Sequence, residues 1–186
     1  MGQAISTSAK QNLLHQKGLI QSETASRYFF YTTLLNLSVA VIVTGLVLIP
    51  PLALPIKLTV WPGTWMFIAY FSFIIAGVLG SMMWTMIYYL LPRLLQIAQV
   101  SKRITIVQLL LSQVGIYGTV ILMGLVPGYT GGSLAIQGFG LFLITRVIEW
   151  AVIPTGIFVG IALIGTVTGF ANIVFSIRPV SNESKV

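Results

Sequence analysis

The chain has 186 residues, of which 56% are hydrophobic and only 7% charged, whereas a soluble domain carries about 25% charge. Ten Lys and Arg and three acidic residues, all of them Glu, are too few to coat a water-facing surface, and the absence of cysteine excludes disulfides, thiolate metal ligands and dithiol redox chemistry. One histidine, His15, excludes a bis-histidine haem, and the net charge of +7 is spread along the flanks of apolar segments, so it reads as orientation against anionic lipid and no nucleic-acid partner is expected.

Residues 1–27 are polar, with Lys10, His15, Lys17, Glu23 and Arg27, and read as a soluble cytoplasmic tail. They do not read as a cleavable signal peptide, because no apolar core follows the charged end directly. The opening Met-Gly-Gln-Ala-Ile-Ser matches the myristoylation pattern, but so short a pattern arises by chance, and a chain that already spans the bilayer gains little from one acyl chain.

Phe29 to Ile49 is an uncharged apolar segment closed by Pro50-Pro51, and Pro55, Lys57 and Pro62 mark the connection that follows. The second segment, Thr64 to Leu91, would measure about 42 Å as a helix against a hydrocarbon core of about 30 Å, so it must tilt or project. It is expected to stop at Pro92-Arg93, before a short loop carrying Lys102 and Arg103. A third segment runs from Ile104 to Val126 and is expected to end at Pro127-Gly128, with Gly131-Gly132 just after. Ser133 to Ile177 would measure about 68 Å as one helix, too long for a single span. Arg146 and Glu149 lie inside it and Pro154 a turn later, which divides it into a short interfacial helix and a spanning helix from about Trp150 to Ile177.

The expected fold class is therefore all-α: an integral membrane helical bundle of four transmembrane helices, with an extra short interfacial helix before the last. The bundle occupies residues 28–178 between cytoplasmic tails at 1–27 and 179–186. Four spans put the amino tail, the middle loop and the carboxyl tail on one side. That side then holds Lys10, Lys17, Arg27, Arg93, Lys102, Arg103, Arg178 and Lys185, against Lys57 and Arg146 on the other. Basic residues gather on the cytoplasmic side, so both termini are expected there. A β-barrel is not expected, because its strands alternate polar and apolar residues and these runs are apolar throughout.

Four features stand out within the spans. Arg146 and Glu149, at i and i+3, can meet on one helical face, either as a proton or anion relay or as a neutralised interfacial ion pair where the chain turns into its last span; the second reading is preferred. Met82, Met83 and Met86 offer three thioethers, a soft copper(I) set in principle, but with no histidine or cysteine beside them they read as packing. Thr105, Gln108, Ser112, Gly115 and Thr119 form a small-polar stripe on the third span, suited to close helix packing and interhelical hydrogen bonds. In the last span Gly156 and Gly160, then Gly165 and Gly169, form two GxxxG pairs. At about 100° per residue these face nearly opposite directions, one available to the chain itself and the other to a partner.

The segment from Ala69 to Leu94, AYFSFIIAGVLGSMMWTMIYYLLPRL, resembles the tenth helix of the haem–copper oxidase catalytic subunit. In that family a His-Phe-His stretch precedes a Tyr-Tyr and then a Pro-Lys or Pro-Arg ending, and Tyr88, Tyr89, Pro92 and Arg93 match the ending in spacing. Gly115, the run Gly124-Leu-Val-Pro127-Gly128 and the closing Gly169-Phe-Ala-Asn172 look like the two helices that follow there. The resemblance covers Thr64 to Ile177. The family's haem histidines are replaced by Tyr70 and Ser72 around a retained Phe71, and its copper histidines have no counterpart, so the resemblance implies a haem-free scaffold without the oxidase chemistry.

No catalytic residue, metal site or cofactor is therefore expected. The leading reading is a non-catalytic accessory subunit of a multi-subunit membrane complex, plausible in a respiratory or other oxidase assembly, with other integral membrane subunits and membrane lipids as partners. The alternative is a small homo-oligomeric transporter or channel, for which the third-span stripe is the candidate lining.

Overall fold

The computed structural model describes residues 2–48, 61–95 and 100–176. The connection with Pro50-Pro51, Pro55 and Lys57, and the carboxyl tail 179–186, lie outside the described residues. Helix accounts for nearly all of those described, and no strand occurs among them. Four helical stretches are long and apolar enough to cross a membrane: Leu19–Leu46, Thr64–Leu94, Lys102–Ile136 and Leu141–Ser176. The chain is an all-α membrane bundle of four spans.

The expected boundaries shift where local chemistry turned out weaker than the helix. The polar residues 2–27 are helical and continuous with the first span. One helix runs from Gly2–Leu48, 47 residues or about 70 Å, because the polar stretch contains no proline and only Gly18 in its interior. The second span does not stop at Pro92-Arg93 but continues to Leu95. A proline removes one intrahelical hydrogen bond, and here the same turn gains contacts with the first helix, including the Arg93–Glu23 ion pair at 3.1 Å. Between its two α-helical parts, Thr64–Ser72 and Gly80–Leu95, the second span widens into a π-helical turn over Phe73–Leu79.

The third span passes through Pro127-Gly128 as well. Its α-helix, Lys102–Met123, leads into a second π-helical stretch, Gly124–Gly131, and a last turn, Gly132–Ile136. The wider π turn accommodates the Pro127 ring, which in a regular α-helix would press on the carbonyl four residues earlier. The glycines here permit close approach and do not break the helix. A Cβ on Gly128 would sit 2.7 Å from the Met66 nitrogen, and one on Gly131 2.5 Å from Pro62 Cγ, so the start of the second span lies directly on this stretch. The helix stops after Ile136, at a Schellman cap: Gly138 takes φ +80°, its N–H bonds the Ala135 carbonyl at 3.0 Å, and the Phe139 N–H bonds the Leu134 carbonyl at 3.1 Å.

The final stretch divides as its length requires, into Leu141–Ile148, a 3₁₀ turn over Glu149–Ala151 and the long helix Val152–Ser176. Pro154 falls in the first turn of that helix, where its missing N–H has no intrahelical partner to lose. Packing follows chain order. The first helix lies along the second half of the second span, the first half of that span lies on the end of the third, and the third and fourth spans share the most extensive contact.

Candidate functional site: two buried polar clusters and a crevice

Hydrogen-bonding groups in a lipid-facing bundle have no water to turn to, so they pair within the protein. The first cluster sits near the middle of the spans around Asn36, which is fully buried. Its Nδ2 donates to the Gly77 carbonyl at 2.7 Å and lies 3.1 Å from Gln113 Oε1 and 3.3 Å from Ser81 Oγ, while Tyr117 Oη donates to its Oδ1 at 2.8 Å. Gln113 Nε2 also donates to Ser81 Oγ at 3.3 Å. Gly77 belongs to the π-helical turn, a geometry that disturbs the regular i→i+4 ladder and brings this carbonyl to a side-chain donor on another helix. One amide thus ties the first three spans together.

The second cluster lies toward the basic end and joins the last three. Tyr88 donates to Gln108 Oε1, and Asn172 Nδ2 reaches Thr105 Oγ1 at 3.1 Å and Tyr88 Oη at 3.3 Å. Asn172 Oδ1 accepts from the Ser101 N–H at 3.2 Å, which caps the start of the third span from the fourth. Phe29 stacks on Tyr88 with centroids 5.6 Å apart and seals the cluster from the first helix. A crevice of about 370 Å³ opens between the second, third and fourth spans, with Ser72, Ser81, Ser112, Gln113, Thr119 and Thr166 contributing its polar wall.

Of the residues singled out from sequence, the third-span stripe and one glycine pair come together. Thr105, Gln108, Ser112 and Gly115 are buried. Gly165 and Gly169 are the glycines that meet them: a Cβ on Gly165 would lie 2.6 Å from Ser112 Oγ and 2.7 Å from its nitrogen, and one on Gly169 would collide with the Gln108 amide. Gln108 Nε2 and Ser112 Oγ, pressed against this glycine backbone, make no hydrogen bond. Gly156 and Gly160 are not drawn in; a Cβ at either meets nothing within 4 Å.

The ion pair expected between Arg146 and Glu149 is absent. The helix ends at Ile148 and tightens into a 3₁₀ turn at Glu149, so the two side chains no longer share an α-helical face, and Arg146 lies instead over the Phe142 ring, 5.2 Å from its centroid. Both are exposed. Among the described residues the ion pair is Arg93–Glu23. Met82, Met83 and Met86 are each about half exposed, Met83 at the crevice and Met86 at a groove beside the first helix. At the positions that resemble the oxidase haem ligands, the Tyr70 hydroxyl shares a 2.6 Å hydrogen bond with Thr44 Oγ1, Phe71 is exposed and Ser72 lines the crevice. No group of three or more His, Cys, Asp or Glu occurs among the described residues.

Sequence reasoning passed over Asn36, Ser81, Gln113 and Tyr117. The signal was present in Asn36, the one amide in an otherwise apolar or hydroxyl-bearing run from Phe29 to Ile49, since an amide at that depth is costly unless it has partners. Comparison with known protein families, with characterised proteins and with solved structures finds no match to the chain.

Proposed function

We propose that the chain is a non-catalytic integral subunit of a larger membrane assembly, a respiratory or other oxidase complex being the assembly toward which the Ala69–Leu94 resemblance points. The observation that carries this reading is the unequal use of the two glycine faces. Gly165 and Gly169 are consumed by the third span, while Gly156 and Gly160 stand open on an outer surface otherwise dressed with large apolar side chains such as Ile153, Ile157 and Leu163. Lipid fills such a surface without needing small residues, whereas a second helix backbone does need them. The sequence also supports a role without chemistry of its own, having no Cys, no Asp and one His to serve as base, nucleophile or ligand.

The test is recovery of the assembly in mild detergent from the native membrane. The parent chain is expected to copurify with other membrane subunits, and the double variant Gly156→Leu with Gly160→Leu to insert normally but come away alone. A parent that purifies as a single chain, or a variant that assembles as well as the parent, refutes the reading.

In this proposal both termini face the cytoplasm, supported by eight basic residues on that side against two on the other. Protease access to tags at each end and in the Lys57 loop is expected to place the ends together and the loop opposite. Exposure of the two ends on different sides would overturn the topology.

A second reading, a small homo-oligomeric transporter or channel, is favoured by the crevice beside the Asn36 cluster. It requires that chain reconstituted alone in vesicles conducts a solute and that Gln113→Leu, which strips the crevice wall of its amide, abolishes the flux.

A further inference from the structure

A cavity of about 510 Å³ lies between the first helix and the second span, at the end of the bundle where Arg27, Arg93, Lys102 and Arg103 gather. Its walls combine two features. Toward the end of the spans stand two guanidinium groups, Arg27 and Arg93, and one carboxylate, Glu23; toward the bundle centre stand Phe30, Met86 and Leu90, each about half exposed.

The charges are unequally matched. Arg93 gives one Nη2 donor to Glu23 Oε1 at 3.1 Å, and its Cζ lies over the Tyr89 ring, 3.7 Å from the centroid. A guanidinium carries five N–H donors, so most of the Arg93 fork stays available while the side chain is already held in place. Arg27, one turn beyond Glu23 on the same helix, has no hydrogen bond or ion pair among the described residues. The groove therefore carries one uncompensated positive charge, next to an apolar wall, at the level where the apolar runs of the first and second spans end.

We propose that this groove binds an anionic phospholipid, its phosphate between Arg27 and Arg93 and its acyl chains along Phe30, Met86 and Leu90. Phosphate oxygens match the guanidinium fork and accept charge-assisted hydrogen bonds from it. Glu23 holds one edge of Arg93 and neutralises one of the two positive charges, which leaves the groove matched to a headgroup of single negative charge. The apolar wall selects the lipid over free phosphate, because only a molecule with acyl chains covers Phe30, Met86 and Leu90. The proposal is independent of which assembly the chain joins.

Native mass spectrometry of the full chain released from detergent, with phosphatidylglycerol, phosphatidylcholine or inorganic phosphate added in turn, tests it. Phosphatidylglycerol is expected to be retained in preference to phosphatidylcholine, and inorganic phosphate not to compete. Arg27→Gln, at an exposed position, is expected to keep the fold and weaken phosphatidylglycerol retention about tenfold, as loss of a charged hydrogen-bonding group implies. Arg103→Gln makes the same change in net charge at an exposed position outside the groove and is expected to leave retention unchanged. Equal retention of the two lipids, displacement by inorganic phosphate, or an Arg103→Gln effect as large as that of Arg27→Gln would each overturn the site.

Discussion

Asn36→Leu is expected to destabilise the folded bundle by about 2–4 kcal/mol, from the loss of several interhelical hydrogen bonds worth about 0.6–1.7 kcal/mol each and the orphaning of their partners. Leucine has the same branched four-atom side-chain skeleton as asparagine and is larger, so no cavity opens; the effect comes from the lost hydrogen bonds, with crowding added to it. It leaves the Gly77 carbonyl, Gln113 and the Tyr117 hydroxyl facing an apolar side chain. Denaturant titration from mild detergent, followed by circular dichroism, gives the measurement. A triple variant that also carries Gln113→Leu and Tyr117→Phe should recover part of the loss, because an apolar site with no orphaned groups is less costly than a half-satisfied one. If Asn36→Leu unfolds together with the parent, the cluster does not hold the first three spans together.

The second large effect is expected at the interface of the third and fourth spans. Gly165→Leu with Gly169→Leu places two branched side chains where even a Cβ would come within 2.6 Å of Ser112 Oγ and 2.7 Å of Trp84 Cη2. The third-span helix would have to move away as a body, since one of the contacted atoms is the Ser112 backbone nitrogen. Overpacking ordinarily costs about 1–3 kcal/mol per site, and displacement of a backbone raises that, so this variant is expected to lose about 3 kcal/mol or more. Gly115→Ala acts on the same interface from the other side, its added Cβ falling 2.7 Å from Ala162 Cα. By contrast, Gly156→Leu with Gly160→Leu should leave the unfolding midpoint of the isolated chain unchanged. Equal stability of the two double-leucine variants would show that the fourth span does not dock through Gly165 and Gly169.

Several contacts were legible only in outline. The stripe Thr105, Gln108, Ser112 and Gly115 announces a packing face through its three- and four-residue spacing, but the partner that covers it is not written in that spacing. Asn172 entered only through a resemblance, yet it anchors the second cluster by reaching Thr105 and Tyr88 on two other spans. Arg146 and Glu149 had the spacing of a helical pair and failed to form one because the helix tightened between them.

Composition and the lengths of apolar runs were enough to establish a four-span α-helical membrane bundle, because the bilayer has a fixed thickness and leaves the backbone only helix or closed barrel as ways to satisfy its hydrogen bonds. Helix ends were less legible: Pro92 and Pro127 carry strong local stop signals, yet both helices continue, Pro127 within a π-helical stretch that makes room for its ring and Pro92 in a turn packed on the first helix. What the tertiary structure alone decided is which polar groups meet. Inside the membrane a side-chain amide or hydroxyl must find its partner on another helix, and relative height and rotation of the helices, which depend on close approaches such as Gly115 to Ala162 and Gly128 to Met66, determine whether Asn36 reaches Gly77 and which glycine face remains open.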